Sequence, residues 1–235
     1  PLATTQVVGR DRYVEYVSWL ANMATTCEKI LQEVRNLQRS ELSEAGEGFD
    51  VKKQVGSSTM AHKKNPIKSE NASGLARIVR SFIIPTYENA LLWHERDLAN
   101  SSSERFTLSH GSALCEDVIA KTRQVLTNMW VDAERCMENI RAQRGLVMAE
   151  KVMIDLVERG IPRDEAHEIL REASFTAVAN KEELIDVCSR TPAISAAFSA
   201  EELEAMFEPS NHIGVSGEIV DEAVALARTA IQTTE

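Results

Sequence analysis

Residues 11–39, DRYVEYVSWLANMATTCEKILQEVRNLQR, contain neither glycine nor proline and carry the strongest structural signal in the chain. Apolar residues recur in this stretch at steps of three and four, the spacing of one face of an α-helix. They are Val17, Leu20, Ala24, Cys27, Leu31 and Val34. A helix this long without internal caps is typical of a bundle, because a long helix becomes stable by packing against neighbours. The stretch therefore predicts a helical bundle.

Two more helical patterns follow, one before and one after the polar residues 93–103. The first should start with Asn65 as N-cap and Pro66 as first helical residue, since the N–H that proline lacks would be unpaired there in any case. It should kink at Pro85, which cannot continue the helical hydrogen-bond ladder. The apolar stripe of the second pattern comprises Leu114, Val118, Val125, Leu126, Met129, Ala133, Met137 and Ile140. We predict an all-α fold with a long-helix bundle over residues 1–143.

Beyond residue 144 the helical patterns are shorter, and turn signals separate them. The turn signals are the sequences GIP at 160–162, TP at 191–192 and EPSN at 208–211. Ser199 and Glu202 have the spacing of a capping box, in which each side chain caps the backbone N–H of the other residue. These features predict a second, small all-helical domain over residues 144–235.

Composition and charge narrow the classes of function. The 235 residues carry a formal net charge of −10, which argues against a nucleic-acid-binding surface. No long uninterrupted apolar window and no secretory signal is found, so we expect no membrane association. Four cysteines lie far apart, and we expect them to be reduced, buried thiols in a cytoplasmic protein. His110, His167 and His212 lack ligand-like partners in sequence, so no metal is expected.

Residues 56–66, GSSTMAHKKNP, concentrate small hydroxyl residues and cations between two helical patterns. Small residues let the backbone approach a ligand, and successive N–H groups can form an anion-binding nest. The helix that follows directs the positive end of its dipole towards the stretch, and Lys63 and Lys64 add full charges. Residue types alone leave two interpretations equally open, an anion-binding loop and a solvated surface loop.

Residues 91–105, LLWHERDLANSSSER, form a second concentration of polar groups. Arg96 and Arg105 flank three serines, and guanidinium groups with hydroxyls suit a phosphate or a carboxylate. The same stretch contains the acids Glu95, Asp97 and Glu104. Ion pairs between these acids and the two arginines on a wet surface are the alternative, which composition alone favours.

Both stretches resemble known signatures. Residues 56–71, GSSTMAHKKNPIKSEN, resemble the signature of the fumarase/aspartase superfamily, usually GSSxMPxKxNP. Residues 91–105, together with TTQVVGRDRYVEY at 4–16, are similar to the adenylosuccinate lyase family within that superfamily. Ala61 departs from the pattern, because the family generally has proline there. The resemblance extends over essentially the whole chain.

The resemblance implies a lyase that eliminates fumarate from adenylosuccinate, giving AMP, and from succinyl-aminoimidazole carboxamide ribotide in purine biosynthesis. It implies that a base removes a proton beside a carboxylate, that an aci-carboxylate forms, and that the C–N bond then breaks. It also implies no cofactor, a homotetramer whose active sites draw on three subunits, and a mobile lid formed by residues 56–66. The general-acid histidine of the family belongs to an N-terminal half that this chain does not contain. The chain also lacks an initiator methionine, so we expect a piece of a longer protein that folds and associates without turnover.

The site residues of the family carry over to matching positions of this chain. By resemblance Ser57 is the catalytic base, Lys63 stabilises its ionised form, and Lys63 and Asn65 hold the carboxylates of the succinyl group. Glu70 matches the acid that orients the catalytic histidine. The remaining matching residues contact the substrate. Arg96, Ser101 and Arg105 form a phosphate cradle, and Gln6 and Ser58 make further contacts.

Two alternatives remain open. Argininosuccinate lyase or a carboxymuconate cycloisomerase would use the same scaffold, although the second arginine cluster favours a phosphorylated substrate. A non-catalytic helical assembly protein is the other alternative, but assembly alone requires none of the four signature residues Ser57, Lys63, Asn65 and Glu70.

Overall fold

The computed structural model describes residue 3 and residues 6–48, 60, 63–94 and 96–232. Four residues named above lie outside the described residues, namely Ser57, Ser58, Ala61 and Glu95. The chain divides into two units, Pro1–Cys136 and Met137–Glu235. The domain boundary at residue 143 stays a prediction.

The first unit is built on long helices that run alongside one another. Its first five helices are α1 (Asp11–Leu37), α2 (Ile67–Ser81), α3 (Ile83–Glu88), α4 (Ala99–Thr107) and α5 (Ser109–Asn128). Helices α1, α2 and α5 pack together, α3 packs on α1, and α4 packs on α3 and α5. Strand β1 (Ala45–Gly46) pairs antiparallel with strand β2 (Trp130–Val131), and this pairing ties the end of α5 to the segment after α1.

The predicted apolar face of the first helix is confirmed as the centre of this bundle. All six residues of the face are buried, namely Val17, Leu20, Ala24, Cys27, Leu31 and Val34. The face continues into α2 and α5 through Ala72, Ala76, Val79, Cys115, Val118 and Val125. Burial of a side chain the size of valine or leucine contributes about 1.5–3 kcal/mol, so this face holds the three long helices together.

The start of α2 differs from the prediction. The helix begins at Ile67, and Pro66 rather than Asn65 occupies the N-cap position, without a side-chain cap. The first helical N–H groups are bonded instead by Glu47, which lies 21 positions before Lys68. Capping signals in a sequence describe neighbouring residues, so they do not reveal a cap that comes from a distant one.

The break at the end of α2 comes earlier than predicted. Helix α2 ends at Ser81 and α3 begins at Ile83, with Phe82 between them. Pro85 lacks the N–H that would bond the carbonyl of Ser81, four residues earlier. The break therefore lies one turn before the proline rather than at it.

The third predicted pattern is not one continuous helix. Helix α5 ends at Asn128, Met129 is extended, and α6 (Ala133–Arg141) begins only after β2. The pairing of β1 with β2 draws the chain away from a helical path. Gly48 lies so close to this turn that a Cβ atom on it would be 2.2 Å from the carbonyl oxygen of Asn128. At the other end, Ser101–Ser103 were predicted in a polar break but lie within α4.

The second unit is all-helical, as predicted, with a core of its own. Its further helices are α7 (Ala149–Glu158), α8 (Arg163–Asn180), α9 (Leu184–Arg190), α10 (Pro192–Ala197), α11 (Ala200–Phe207) and α12 (Ser216–Gln232). The three predicted turn sequences separate helices here. Ser199 and Glu202 form the predicted capping box, with N–H to oxygen distances of 3.2 Å and 2.9 Å. Within the described ranges, no helix is long and apolar enough to cross a membrane.

Candidate functional site

Three of the predicted site residues line one cavity. Lys63, Asn65 and Glu70 surround a space of about 660 Å³ where α1 ends and α2 begins. The opposite wall comes from the last turns of α1 and the residues directly after it, and includes Arg35 and Arg39. The structure therefore brings the second half of the signature sequence against a helix that sequence reasoning had treated only as packing.

The charge of this cavity is strongly positive for so acidic a chain. Its lining contains four cations, Arg35, Arg39, Lys63 and Lys64, and Glu70 is the one acid among the described lining residues. The guanidinium of Arg35 bonds Gln32 Oε1 at 3.4 Å, and that of Arg39 bonds the carbonyl of Asn36 at 3.3 Å. Clustered cations with little compensating acid suit a ligand with several negative charges.

Arg35 and Arg39 were missed at the sequence level. Both lie in the stretch 11–39 that was predicted to be helical, four residues apart, a spacing that places two side chains on one face of a helix. Neither belongs to the apolar stripe, and in the structure Arg39 lies two residues beyond the end of α1. That spacing was the available signal. Two basic residues at the end of a helix also interact favourably with its dipole, which made a structural explanation sufficient.

A remote carboxylate and a remote amide hold the start of α2 beside this cavity. The buried Glu47 carboxylate accepts the backbone N–H groups of Lys68 and Ser69 at 3.1 Å and 3.0 Å, and the Ser69 hydroxyl at 2.9 Å. Gln38 donates its amide to the carbonyl of Lys64 at 2.9 Å and accepts the N–H of Glu47 at 2.8 Å. The backbone from Lys64 to Ser69 is therefore fixed from outside the signature sequence.

The second predicted cluster begins with a tight turn. The Asp97 carboxylate accepts the backbone N–H groups of Trp93 and Ala99, at 2.7 Å and 2.8 Å. These bonds lower the pKa of the Asp97 carboxyl, because they favour its ionised form. His94 within the turn has a φ of 50°, in the left-handed region that is uncommon for residues other than glycine. The turn sets the position of Arg96 before α4 begins.

The predicted phosphate cradle lies partly on α4. Ser101 and Arg105 are four residues apart on this helix, so they share a face, and Arg96 precedes it. Glu104 is bonded to Arg10, with 2.8 Å between Nε and Oε1, and this bond raises the pKa of the Arg10 guanidinium. The ion-paired alternative for this stretch is therefore not observed among the described residues, which leave out Glu95. Within those residues, neither exposed arginine of the cradle forms an ion pair.

The structure does not bring the two clusters together. Gln38, which follows the last residue of α1, bonds Lys64, whereas Arg10, which precedes the first residue of α1, bonds Glu104. Helix α1 has 27 residues, and at 1.5 Å per residue it separates the two clusters by about 40 Å. Gln6 is exposed and precedes α1, so it belongs to the same end as the cradle.

Comparisons with known proteins add a family assignment to this geometry. A family profile described as "Lyase" matches residues 1–81, and one described as "Adenylosuccinate lyase C-terminus" matches residues 145–223. Adenylosuccinate lyase of Archaeoglobus fulgidus is 44% identical over 223 residues, which is 95% of this chain and 50% of that protein. Its counterpart in Methanothermobacter thermautotrophicus is 42% identical over 220 residues, with 94% and 49% covered. The crystal structure of 3-carboxy-cis,cis-muconate lactonizing enzyme from Pseudomonas putida matches with a TM-score of 0.81 and 29% identity, covering 92% of this chain and 47% of that one.

The long-helix bundle and the signature residues at the start of α2 are those of a lyase of the fumarase/aspartase superfamily. Within this class, the family is identified by the identities of 42–44% to adenylosuccinate lyases and by the family profile that matches the second unit. The chain belongs to the adenylosuccinate lyase family. It spans about half the length of the curated relatives that it matches.

Proposed function

We propose that this chain supplies about half of an adenylosuccinate lyase, which eliminates fumarate from adenylosuccinate to give AMP. The same enzyme acts on succinyl-aminoimidazole carboxamide ribotide in purine biosynthesis. The observation that carries the proposal is the cavity at the start of α2, which gathers Lys63, Asn65 and Glu70 with a surplus of cations. The substrate contains two carboxylates and a phosphate, so a cationic cavity and a separate arginine cluster match its charges.

The chemistry assigned to the signature cavity is charge stabilisation. A base, Ser57 by resemblance, removes the proton beside one carboxylate of the succinyl group, and Ser58 contacts the substrate. The resulting aci-carboxylate has an additional negative charge, which Lys63 and the Asn65 amide stabilise when they are already in position. The C–N bond then breaks. A histidine outside this chain, which Glu70 orients, protonates the departing nitrogen. No cofactor takes part in this scheme.

The separation of the two clusters supports a site shared between copies. One substrate molecule cannot reach groups about 40 Å apart, so the cradle of one copy must serve the cavity of another. The first unit also exposes large apolar side chains, including Trp19 at 55%, Ile84 at 71% and Phe106 at 60%. Exposed apolar residues on long helices are suited to self-association. We propose that the enzyme is a homotetramer. The isolated chain should also self-associate, which sedimentation would measure.

A second candidate is a carboxymuconate cycloisomerase, which the match to the Pseudomonas putida enzyme favours. Its substrate contains carboxylates without a phosphate, so the cluster at Arg96, Ser101 and Arg105 would have no ligand. The higher identity to adenylosuccinate lyases also favours the first proposal. Argininosuccinate lyase likewise lacks a substrate phosphate, and an assembly protein would not need the cationic cavity.

The test uses a completed enzyme, in which the half of the Archaeoglobus fulgidus relative that this chain does not match precedes Pro1. We expect it to release fumarate from adenylosuccinate, measured by absorbance, while the isolated 235-residue chain does not. Argininosuccinate and carboxymuconate serve as competing substrates. Turnover of carboxymuconate or argininosuccinate in preference to adenylosuccinate would overturn the proposal. The cytoplasmic location stays a prediction.

A further inference from the structure

Helix α2 depends on a residue outside itself for its N-terminal cap. Its N-cap residue, Pro66, makes no side-chain cap bond, and the N–H groups of Lys68 and Ser69 are bonded by Glu47. Glu47 is 4% exposed, and burial of a carboxylate is costly unless donors surround it. Three donors and the positive end of the α2 dipole meet that requirement. Burial of this carboxylate costs free energy, which indicates a role beyond capping one helix.

Gln38 connects this cap to the signature sequence. One side-chain amide bonds both the N–H of Glu47 and the carbonyl of Lys64. Gly46 leaves the space for it, because a Cβ atom there would lie 2.8 Å from Gln38 Cγ and 2.7 Å from the Trp130 ring. The end of α1, the residue after β1 and the start of α2 are thereby linked in one network.

The bonds of this network fall between the residues that the proposed function assigns to the carboxylates. Lys64 is anchored through its carbonyl, and Lys63 and Asn65 lie on either side of it. Resting on the proposed function, we infer that Glu47 and Gln38 are positioning residues that fix the Lys63 ammonium and the Asn65 amide for a dicarboxylate. Preorganised charges stabilise an anion more than mobile ones, because no reorganisation is needed on binding.

The test measures hydrogen exchange and fumarate binding on this chain by NMR. The variant Glu47→Gln removes the negative charge and one of the two acceptor oxygens at nearly unchanged size, and Glu202→Gln is its matched control in the capping box of the other unit. We expect Glu47→Gln to accelerate amide exchange at Lys68 and Ser69 at least about tenfold, and to raise the Kd for fumarate about five- to tenfold. Leu31 and Val79, which are fully buried in α1 and α2 away from the start of α2, should keep their exchange rates.

Two further variants separate positioning from general stability. Gln38→Ala should weaken fumarate binding while leaving the Ser69 amide protected, because its bond to Glu47 remains. Glu47→Asp should recover part of the affinity.

Unchanged exchange at Lys68 and Ser69 would overturn the inference, and so would equal acceleration at Leu31 and Val79. Faster exchange with an unchanged Kd would reduce Glu47 to a structural cap. A wild-type chain that does not bind fumarate would count against the proposed function. The exchange rates and the NMR signals of Lys63 and Asn65 in the variants would then decide the positioning role by themselves.

Discussion

The two ends of α1 organise the proposed anion-binding groups in different ways. At its last turn, Gln38 bonds the carbonyl of Lys64, which lies between Lys63 and Asn65, and Glu47 bonds the start of α2. Both of these residues lie outside the signature sequence. At its first turn, the arginine cluster is organised mostly from within its own stretch, since Asp97 closes the turn before α4. The groups at the C-terminal end of α1 are positioned by residues distant in sequence, whereas those at the N-terminal end are positioned largely by residues close in sequence. Substitutions at the two ends should therefore have different consequences.

The largest effect is expected for Lys63→Met in the completed enzyme. Removing a cation from a developing negative charge should lower kcat by about a thousandfold, equivalent to about 4 kcal/mol. Lys64→Met is the matched control, because Lys64 lines the same cavity but lies at a variable position of the signature. Less than about a fivefold loss is expected for it. Equal losses in the two variants, measured as fumarate release, would show that the cavity acts only through its total charge.

A smaller effect is expected at the other end for Arg96→Lys. A point charge replaces a planar fork, so KM for adenylosuccinate should rise, with a loss of about 1–3 kcal/mol in kcat/KM. The loss should shrink for a substrate analogue without the phosphate. If both substrates lose equally in steady-state kinetics, Arg96 does not contact phosphate.

The contact between Arg10 and Glu104 should contribute more to stability than to turnover. Both side chains are 16% exposed, so Arg10→Met should lower the free energy of unfolding by about 1–2 kcal/mol in urea denaturation. Arg171→Met, which removes an exposed pair with Glu168, is the control and should cost less than about 0.5 kcal/mol. Similar losses in both variants would mean that the Arg10 pair is as weak as a surface pair.

The smallest effect concerns acid sensitivity of the turn at Asp97. Its folded pKa is depressed by the N–H groups of Trp93 and Ala99. The stabilisation is therefore present above the unfolded carboxyl pKa and disappears as the pH falls through the lower folded pKa. The amide signals of Trp93 and Ala99 should titrate below the ordinary aspartate range in NMR, and Asp97→Asn should abolish that titration. A midpoint at or above the ordinary range would contradict the assignment.

Periodicity was sufficient to predict the helical fold. The steps from Val17 to Val34 predicted the buried face of α1, and Ser199 with Glu202 predicted a capping box that is present. Both are local patterns. The early end of α5 was not predictable in this way, because it depends on the pairing of Gly46 with Trp130 across the unit.

The chemical groups of the candidate site were predictable from the sequence, but the residues that position them were not. Lys63, Asn65 and Glu70 were found from the signature and do share a cavity. Arg35 lies within α1 and Arg39 just beyond it, and packing of this helix already explained the sequence pattern there. Glu47 lay in a glycine-containing break and showed its role only through contacts with residues 21 and 22 positions away. Ser57 and Ser58 lie outside the described residues, so their roles stay predictions.

The central claim is that one substrate is held by the cavity of one copy and the arginine cluster of another. Mixing two inactive completed enzymes tests it most directly, one with Lys63→Met and the other with both Arg96→Met and Arg105→Met. After joint refolding in equal amounts, sites shared between copies should recover about a quarter of wild-type fumarate release, because one pairing in four unites both intact ends. Each variant refolded alone should remain inactive. Absence of recovery in mixed tetramers would place both clusters of one site in the same copy and contradict the account.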